Sequence, residues 1–238
     1  MEKEIQRKYL ECERITIFLI LMMSGGFMGA YTYLLKGGVF CNAQTSNIML
    51  LGLALGNQDW HKAAYLLIPI SAYLLGAIVS EILPVYVRKA GLLRWDTLLI
   101  GIEIVVLVIL GFLPESVPVQ VSQVAINFIC SMQYNTFRQA QGIPMATTFC
   151  TNHLRQTGIH LAIWFRKKEG KALKRSWLHG EMILSFVIGA FIGTKACNAF
   201  GTRAIWGAAL LMCLAFFDLL RADRTKEKGK LYQVPSGH

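Results

Sequence analysis

Residues 39–60 read VFCNAQTSNIMLLGLALGNQDW, and residues 143–165 read IPMATTFCTNHLRQTGIHLAIWF. Each starts polar and continues apolar. The first opens with Asn42, Gln44, Thr45, Ser46 and Asn47, the second with Thr147, Thr148, Thr151, Asn152, His153 and Arg155. Thr45 falls on Thr151, Gly52 on Gly158 and Leu55 on Leu161, all at an offset of 106. Residues 29–34 precede the first segment as the similar residues 133–138 precede the second. Gly76-Ala77-x-x-Ser80 follows the first as Gly189-Ala190-x-x-Gly193 follows the second. The order of these matches along the chain predicts an internal repeat, residues 15–113 and 117–220.

Around the two segments lie long apolar runs: Ile15–Leu35, Ala63–Val87, Thr97–Leu113, Val117–Phe137, Trp177–Ala199 and Arg203–Leu220. Each is near the length that crosses the hydrocarbon core as helix, about 20 residues. Of the 238 residues, 54% are hydrophobic and 16% charged, with mean hydropathy +0.45. Soluble domains carry about 25% charged residues. The composition therefore excludes a soluble enzyme, a secreted domain and a disordered regulator. The six cysteines include no CxxC pair and read as small apolar residues, with no disulfide framework and no metal site.

Charge then selects a topology. If residues 39–60 and 143–165 dip in and return, six spans remain, with both termini inside. Nineteen basic residues then lie inside and three outside, Lys36, Lys62 and Arg203. If both segments cross fully, there are eight spans, with 16 basic residues inside and 6 outside. The positive-inside bias selects six. The expected fold is an all-α integral membrane protein of six transmembrane helices and two re-entrant half-helix segments. Three spans per half is an odd number, so the repeat is inverted, 3+3, as in many transporters. Residues 1–14 form a cytoplasmic N-terminus, too polar and too acidic for a cleavable signal. Residues 221–238 form a loose, basic cytoplasmic tail beside anionic headgroups. The net charge of +10 reads as topology, because the basic residues lack the aromatic interleaving of a nucleic-acid site.

Polar backbone at membrane depth must be buried in protein or line a wet cavity. Ser, Thr and Asn are favoured helix caps, so each polar cluster is expected to open a half-helix. The free N–H groups and positive dipole end of such a helix suit an anion or a polar solute. The candidate substrate-binding residues are Asn42, Gln44, Thr45, Ser46, Asn47, Thr148, Thr151, Asn152, His153 and Arg155. Glu103, inside an apolar span, is the candidate for ion coupling or for pairing with Arg155. Gly76 and Gly189 read as close-packing positions.

Gly29-Ala30-Tyr31-Thr32-Tyr33-Leu34, Lys36-Gly37-Gly38-Val39-Phe40, Gln44-Thr45-Ser46-Asn47 and Gly52-Leu53-Ala54-Leu55 resemble the YoaK-like bacterial membrane family, of unknown function. Gln133 and the Thr147–Thr151 stretch resemble its second signature, and the resemblance spans roughly residues 15–220. The family usually has Thr-Gly-Asn where this chain has Thr45-Ser46-Asn47, and Thr-Gly where it has Thr151-Asn152. The resemblance implies an integral membrane protein of about six spans and supplies no activity, cofactor or catalytic residue.

The reading from sequence is a transporter or channel for a small polar or anionic solute, set in the cell membrane. No cofactor, metal or catalytic residue is expected. The partners are an unnamed solute and the bilayer, with no nucleic acid and with room for a homo-oligomer. The alternatives are a structural or sensory membrane protein and, with no GxSG, HExxH or paired-Asp signature, a membrane-embedded enzyme.

Overall fold

The computed structural model describes residues 9–235. Eight α-helices dominate them: α1 (Ile15–Leu35), α2 (Gln44–Gly56), α3 (Trp60–Ala90), α4 (Trp95–Phe112), α5 (Val119–Thr136), α6 (Thr151–Lys167), α7 (Gly170–Phe200) and α8 (Ile205–Arg224). A short hairpin pairs Gln139 with Pro144 and Ala140 with Ile143 between α5 and α6.

Four helical stretches among the described residues are long and apolar enough to cross a membrane: 15–35, 60–90, 95–112 and 170–224. The last holds both α7 and α8, joined by a 3₁₀ turn at Gly201–Ala204. Helix α5 is not among the four. It carries Gln120, Gln123, Asn127, Gln133 and Asn135, and buries Gln123, Asn127 and Gln133 against other helices. Helices α3 and α7 each run 31 residues, past the expected apolar runs into charged turns. Helical backbone bonding does not stop where the apolar run ends. Large apolar side chains stand exposed around the outside, among them Met49, Leu74, Val105, Phe191 and Leu210. A soluble protein does not expose so much apolar surface, and a bilayer covers it.

Packing follows a simple pattern. The strongest contacts join α1 to α7, α3 to α5, α6 to α7 and α4 to α8, followed equally by α2 to α3 and α1 to α8. Helices α1 and α7 run parallel, with Gly189 on Met23 and Gly193 on Phe27. A Cβ on Gly189 would land on the Met23 carbonyl oxygen, and one on Gly26 would land on that of Phe186. Helices α3 and α5 are also parallel, with Tyr65 meeting Gln123, Gly76 meeting Phe128, and Ser80 meeting Asn135. Small residues let these backbones approach closely. Helices α4 and α8 are antiparallel, Gly101 meeting Phe216 and Gly111 meeting Trp206. So are α1 and α5: Phe18 stacks edge-on against Phe137, and Gln123 Nε2 donates to the Lys36 carbonyl.

Of the expected loose tail, 236–238 lie outside the described residues, and the described part beyond α8 is held in place. Arg94, 2% exposed, sits where α4 begins and α8 ends. Its guanidinium pairs with Asp96 at 3.1 Å and lies 3.9 Å from Asp223 and from Glu227. Nη1 donates to the carbonyls of Lys230 and Gln233, so residues 225–233 are strapped across the bundle. Glu227 also accepts from the Glu11 N–H, which ties in the chain before α1. Burial holds the Glu227 carboxyl above its ordinary range, with the Glu11 N–H and Arg94 acting against it.

Candidate functional site

The two polar segments meet the same part of the bundle. Asn42 Nδ2 donates to the carbonyl of Gly25, at the middle of α1. Gln44 Nε2 donates to Asn127 Oδ1, at the middle of α5. From the other half, the backbone at Thr147 and Thr148 packs on Gly25, where an added Cβ would lie 3.0 Å from the Thr147 carbonyl oxygen. From there α2 and α6 lead away along α3 and α7. Both lie at the periphery: α2 buries only Asn47 and Ala54, and α6 buries only His153.

A cavity of about 610 Å³ lies between the two helix starts. It is lined by Asn42, Ala43, Gln44, Thr45 and Ser46 from the first segment, and by Phe149, Thr151, Asn152 and Arg155 from the second. Tyr73 of α3 completes the wall. A second cavity, about 350 Å³, shares Phe149 and Asn152 with the first and continues to Arg138 and Asn135. The Phe149 ring packs on Tyr134 with centroids 4.8 Å apart, at the partition. Neither lining contains a carboxylate, and each contains an arginine. Arg138 is ion-paired to Glu81 and bonded to Asn135. Arg155 is exposed and, among the described residues, bonds only to Asn152 Oδ1, at 3.0 Å.

The expected capping is not what the structure has. The N-cap residues are Ala43 and Cys150, and neither helix start has a side-chain cap. Thr45, Ser46, Thr151 and Asn152 instead occupy the first turns. The first intrahelical bond of α2 comes from Ser46 N to Ala43 O, so the N–H groups of Gln44 and Thr45 have no intrahelical partner.

Seven of the ten candidate binding residues therefore share one cavity: Asn42, Gln44, Thr45, Ser46, Thr151, Asn152 and Arg155. Three do not line it. Asn47 is fully buried and clamps the chain at Phe40, accepting from its N–H at 3.2 Å and donating to its carbonyl at 2.7 Å. Thr148 is buried behind the cavity, and its hydroxyl has no partner among the described residues. His153 turns toward α7. Glu103 is fully buried in α4, with neither oxygen partnered among the described residues, and it does not pair with Arg155. Sequence reasoning passed over Tyr73, which sits in apolar company, and Phe149, an apolar residue inside the polar segment; neither gives a signal without the fold.

These features define an integral membrane protein in which the starts of α2 and α6 line one polar cavity. The chain belongs to the family described as protein of unknown function (DUF1275), which matches residues 17–217. It is similar to UPF0700 transmembrane protein YoaK of Bacillus subtilis (strain 168), 24% identical over 225 residues, covering 91% of this chain and 97% of that protein. No solved structure matches the chain.

Proposed function

We propose that this protein is a membrane transporter or channel for a small anion or strongly polar solute, which binds between the starts of α2 and α6. One observation carries the reading. Two uncapped helix N-termini, one from each half, line a single cavity with Arg155 and no carboxylate. Unsatisfied N–H groups, the positive helix ends and a guanidinium all favour negative charge there.

The architecture we infer is an inverted 3+3 repeat. Helices α1, α3 and α4 correspond to α5, α7 and α8, and α2 corresponds to α6 as the re-entrant pair. The packing supports this. Exchanging the halves turns the α1–α7 contact into α5–α3 and α2–α3 into α6–α7, while α4–α8 maps onto itself. The antiparallel α1–α5 and α4–α8 pairs fit a pseudo-two-fold axis in the membrane plane. With both termini cytoplasmic, the charge bias assigns the α6–α7 turn to the cytoplasm and the α2–α3 turn to the outside.

Purified protein in liposomes tests the reading by flux of nitrate, sulfate and phosphate. Flux in the parent that is lost in Arg155→Ala, with the variant still folded and inserted, supports it. A parent with no flux of any solute offered would favour the structural or sensory alternative.

A further inference from the structure

His153 is the single buried side chain of α6, and transport by the cavity alone gives it no task. Its Nδ1 lies 3.0 Å from Nδ1 of His179 on α7, and its Nε2 lies 2.9 Å from the carbonyl oxygen of Ala146. A carbonyl only accepts, so Nε2 of His153 carries the hydrogen and Nδ1 of the neutral ring is bare. The contact between the rings then needs the hydrogen on Nδ1 of His179. That leaves one basic nitrogen in the pair, Nε2 of His179. A proton added there keeps both hydrogen bonds and makes the inter-ring bond charge-assisted, hence stronger. A second proton would set two N–H groups against each other across the same 3.0 Å. The pair is built to take one proton.

The surroundings act against a positive charge on the pair, so an added proton is easily released. His160 of α6 stacks over His179, with centroids 6.0 Å apart and planes 7° apart. His153, His160 and the Arg175 guanidinium all oppose a positive charge on His179, which is why a bound anion nearby would be needed to hold the proton there. Arg155 on α6, Glu181 on α7 and Asp218 on α8 are all exposed. The segment before α6 offers the pair only the Ala146 carbonyl, and α1 carries no charged residue between Ile15 and Leu35. Among the described residues no set of three or more His, Cys, Asp and Glu is arranged to hold a metal ion.

His153 directly follows Asn152 and lies two residues from Thr151, both in the cavity wall. A positive charge on the pair raises the affinity of the cavity for an anion. By linkage, a bound anion raises the affinity of the pair for a proton by the same factor. We propose that His153 and His179 form the proton-binding site of this protein, so that proton and anion bind together and move in the same direction. The direction of coupling rests on the transport reading, whereas the proton site itself does not.

Two measurements test this and separate the two readings. First, ¹⁵N-histidine protein in lipid nanodiscs is titrated downward from about pH 8, through and below the range where imidazoles ordinarily ionise. The ring nitrogens of His153 and His179 should report a single shared proton, and His153 should lose that behaviour in His179→Gln. Rings that both stay neutral, or that each take a proton independently, would overturn the proton site. Second, proteoliposomes containing a pH-sensitive dye receive an imposed nitrate, sulfate or phosphate gradient. Proton uptake should accompany anion entry, and His153→Gln or His179→Gln should cut it by about tenfold or more, the factor carried by one pK unit. Anion entry without proton uptake in the parent would overturn the coupling and leave transport standing. A shared proton in the titration with no anion flux would overturn the transport reading, and the coupling with it, while leaving the proton site. Uptake kept in both histidine variants but lost in Glu103→Gln would move the coupling to α4 and overturn its assignment to the pair.

Discussion

The two polar segments have the same outline and opposite contents. In the first, the amides are already committed: Asn42 to Gly25, Gln44 to Asn127, Asn47 to both backbone groups of Phe40. Thr45 and Ser46 are the cavity-lining polar side chains left over. In the second, Thr147 and Thr148 have buried hydroxyls with no partner among the described residues, Arg155 has one amide contact, and His153 shares a hydrogen with His179. The first segment is held in place by its polar side chains, whereas the second holds charge, protons and unspent donors. A run of polar residues in a membrane chain is thus not in itself a binding site. Its amides are first spent on backbone that lipid cannot satisfy.

Both segments rest on one scaffold, and damage to it has the largest expected effect. Arg94→Ala leaves Asp96, Asp223 and Glu227 buried around an empty place and should cost about 3–5 kcal/mol. The check is thermal unfolding in detergent, which should also show protease cleavage in residues 225–233 as the strap comes free. Next come Gly76→Leu and Gly189→Leu, each overpacking a helix crossing by about 1–3 kcal/mol. A loss in one variant only would mean that the halves are not packed alike. Asn47→Ala leaves the Phe40 backbone unpaired and should cost about 1–3 kcal/mol, seen as a lower melting temperature. Removing the Phe149 ring, in Phe149→Ala, forfeits its contact with Tyr134, about 0.5–1.5 kcal/mol. It also widens the partition between the two cavities, so anion flux should rise. Arg155→Ala should change stability least, within about 0.5 kcal/mol as for other exposed positions, while abolishing flux. If Arg155→Ala unfolded the protein and Asn47→Ala spared its stability while abolishing flux, the contrast between the segments would be reversed.

Much of this architecture is written in periodicity and length. Runs of 20 apolar residues announce helices, and the 106-residue offset is the sequence feature behind the proposed pairing of α2 with α6. Polar content alone marks Asn42–Ser46 and Thr151–Arg155. What could not be read depends on partners far along the chain. Asn47 resembles its neighbours in sequence, and only the return of Phe40 makes it a clamp. The threonines were expected to cap their helices, but the cap positions fall one residue earlier or more, at Ala43 and Cys150. The basic tail looked loose because its lysines are solvated. It is held by its backbone carbonyls, which carry no sequence signal, and by Arg94, 136 residues from Lys230. Helix α5 is polar because protein, not lipid, surrounds its glutamines and asparagines.

The central claim is that α2 and α6 open onto one wet, electropositive cavity within the membrane. The most direct test places a single cysteine at Thr45 or at Asn152 in an otherwise cysteine-free, liposome-embedded protein. Modification rates are then compared for small anionic and cationic thiol reagents of equal size. The account predicts that both positions react, and that the anionic reagent is faster by about tenfold or more, as expected for a cleft of one charge sign. Two positions that resist both reagents, or that prefer the cation, would contradict it.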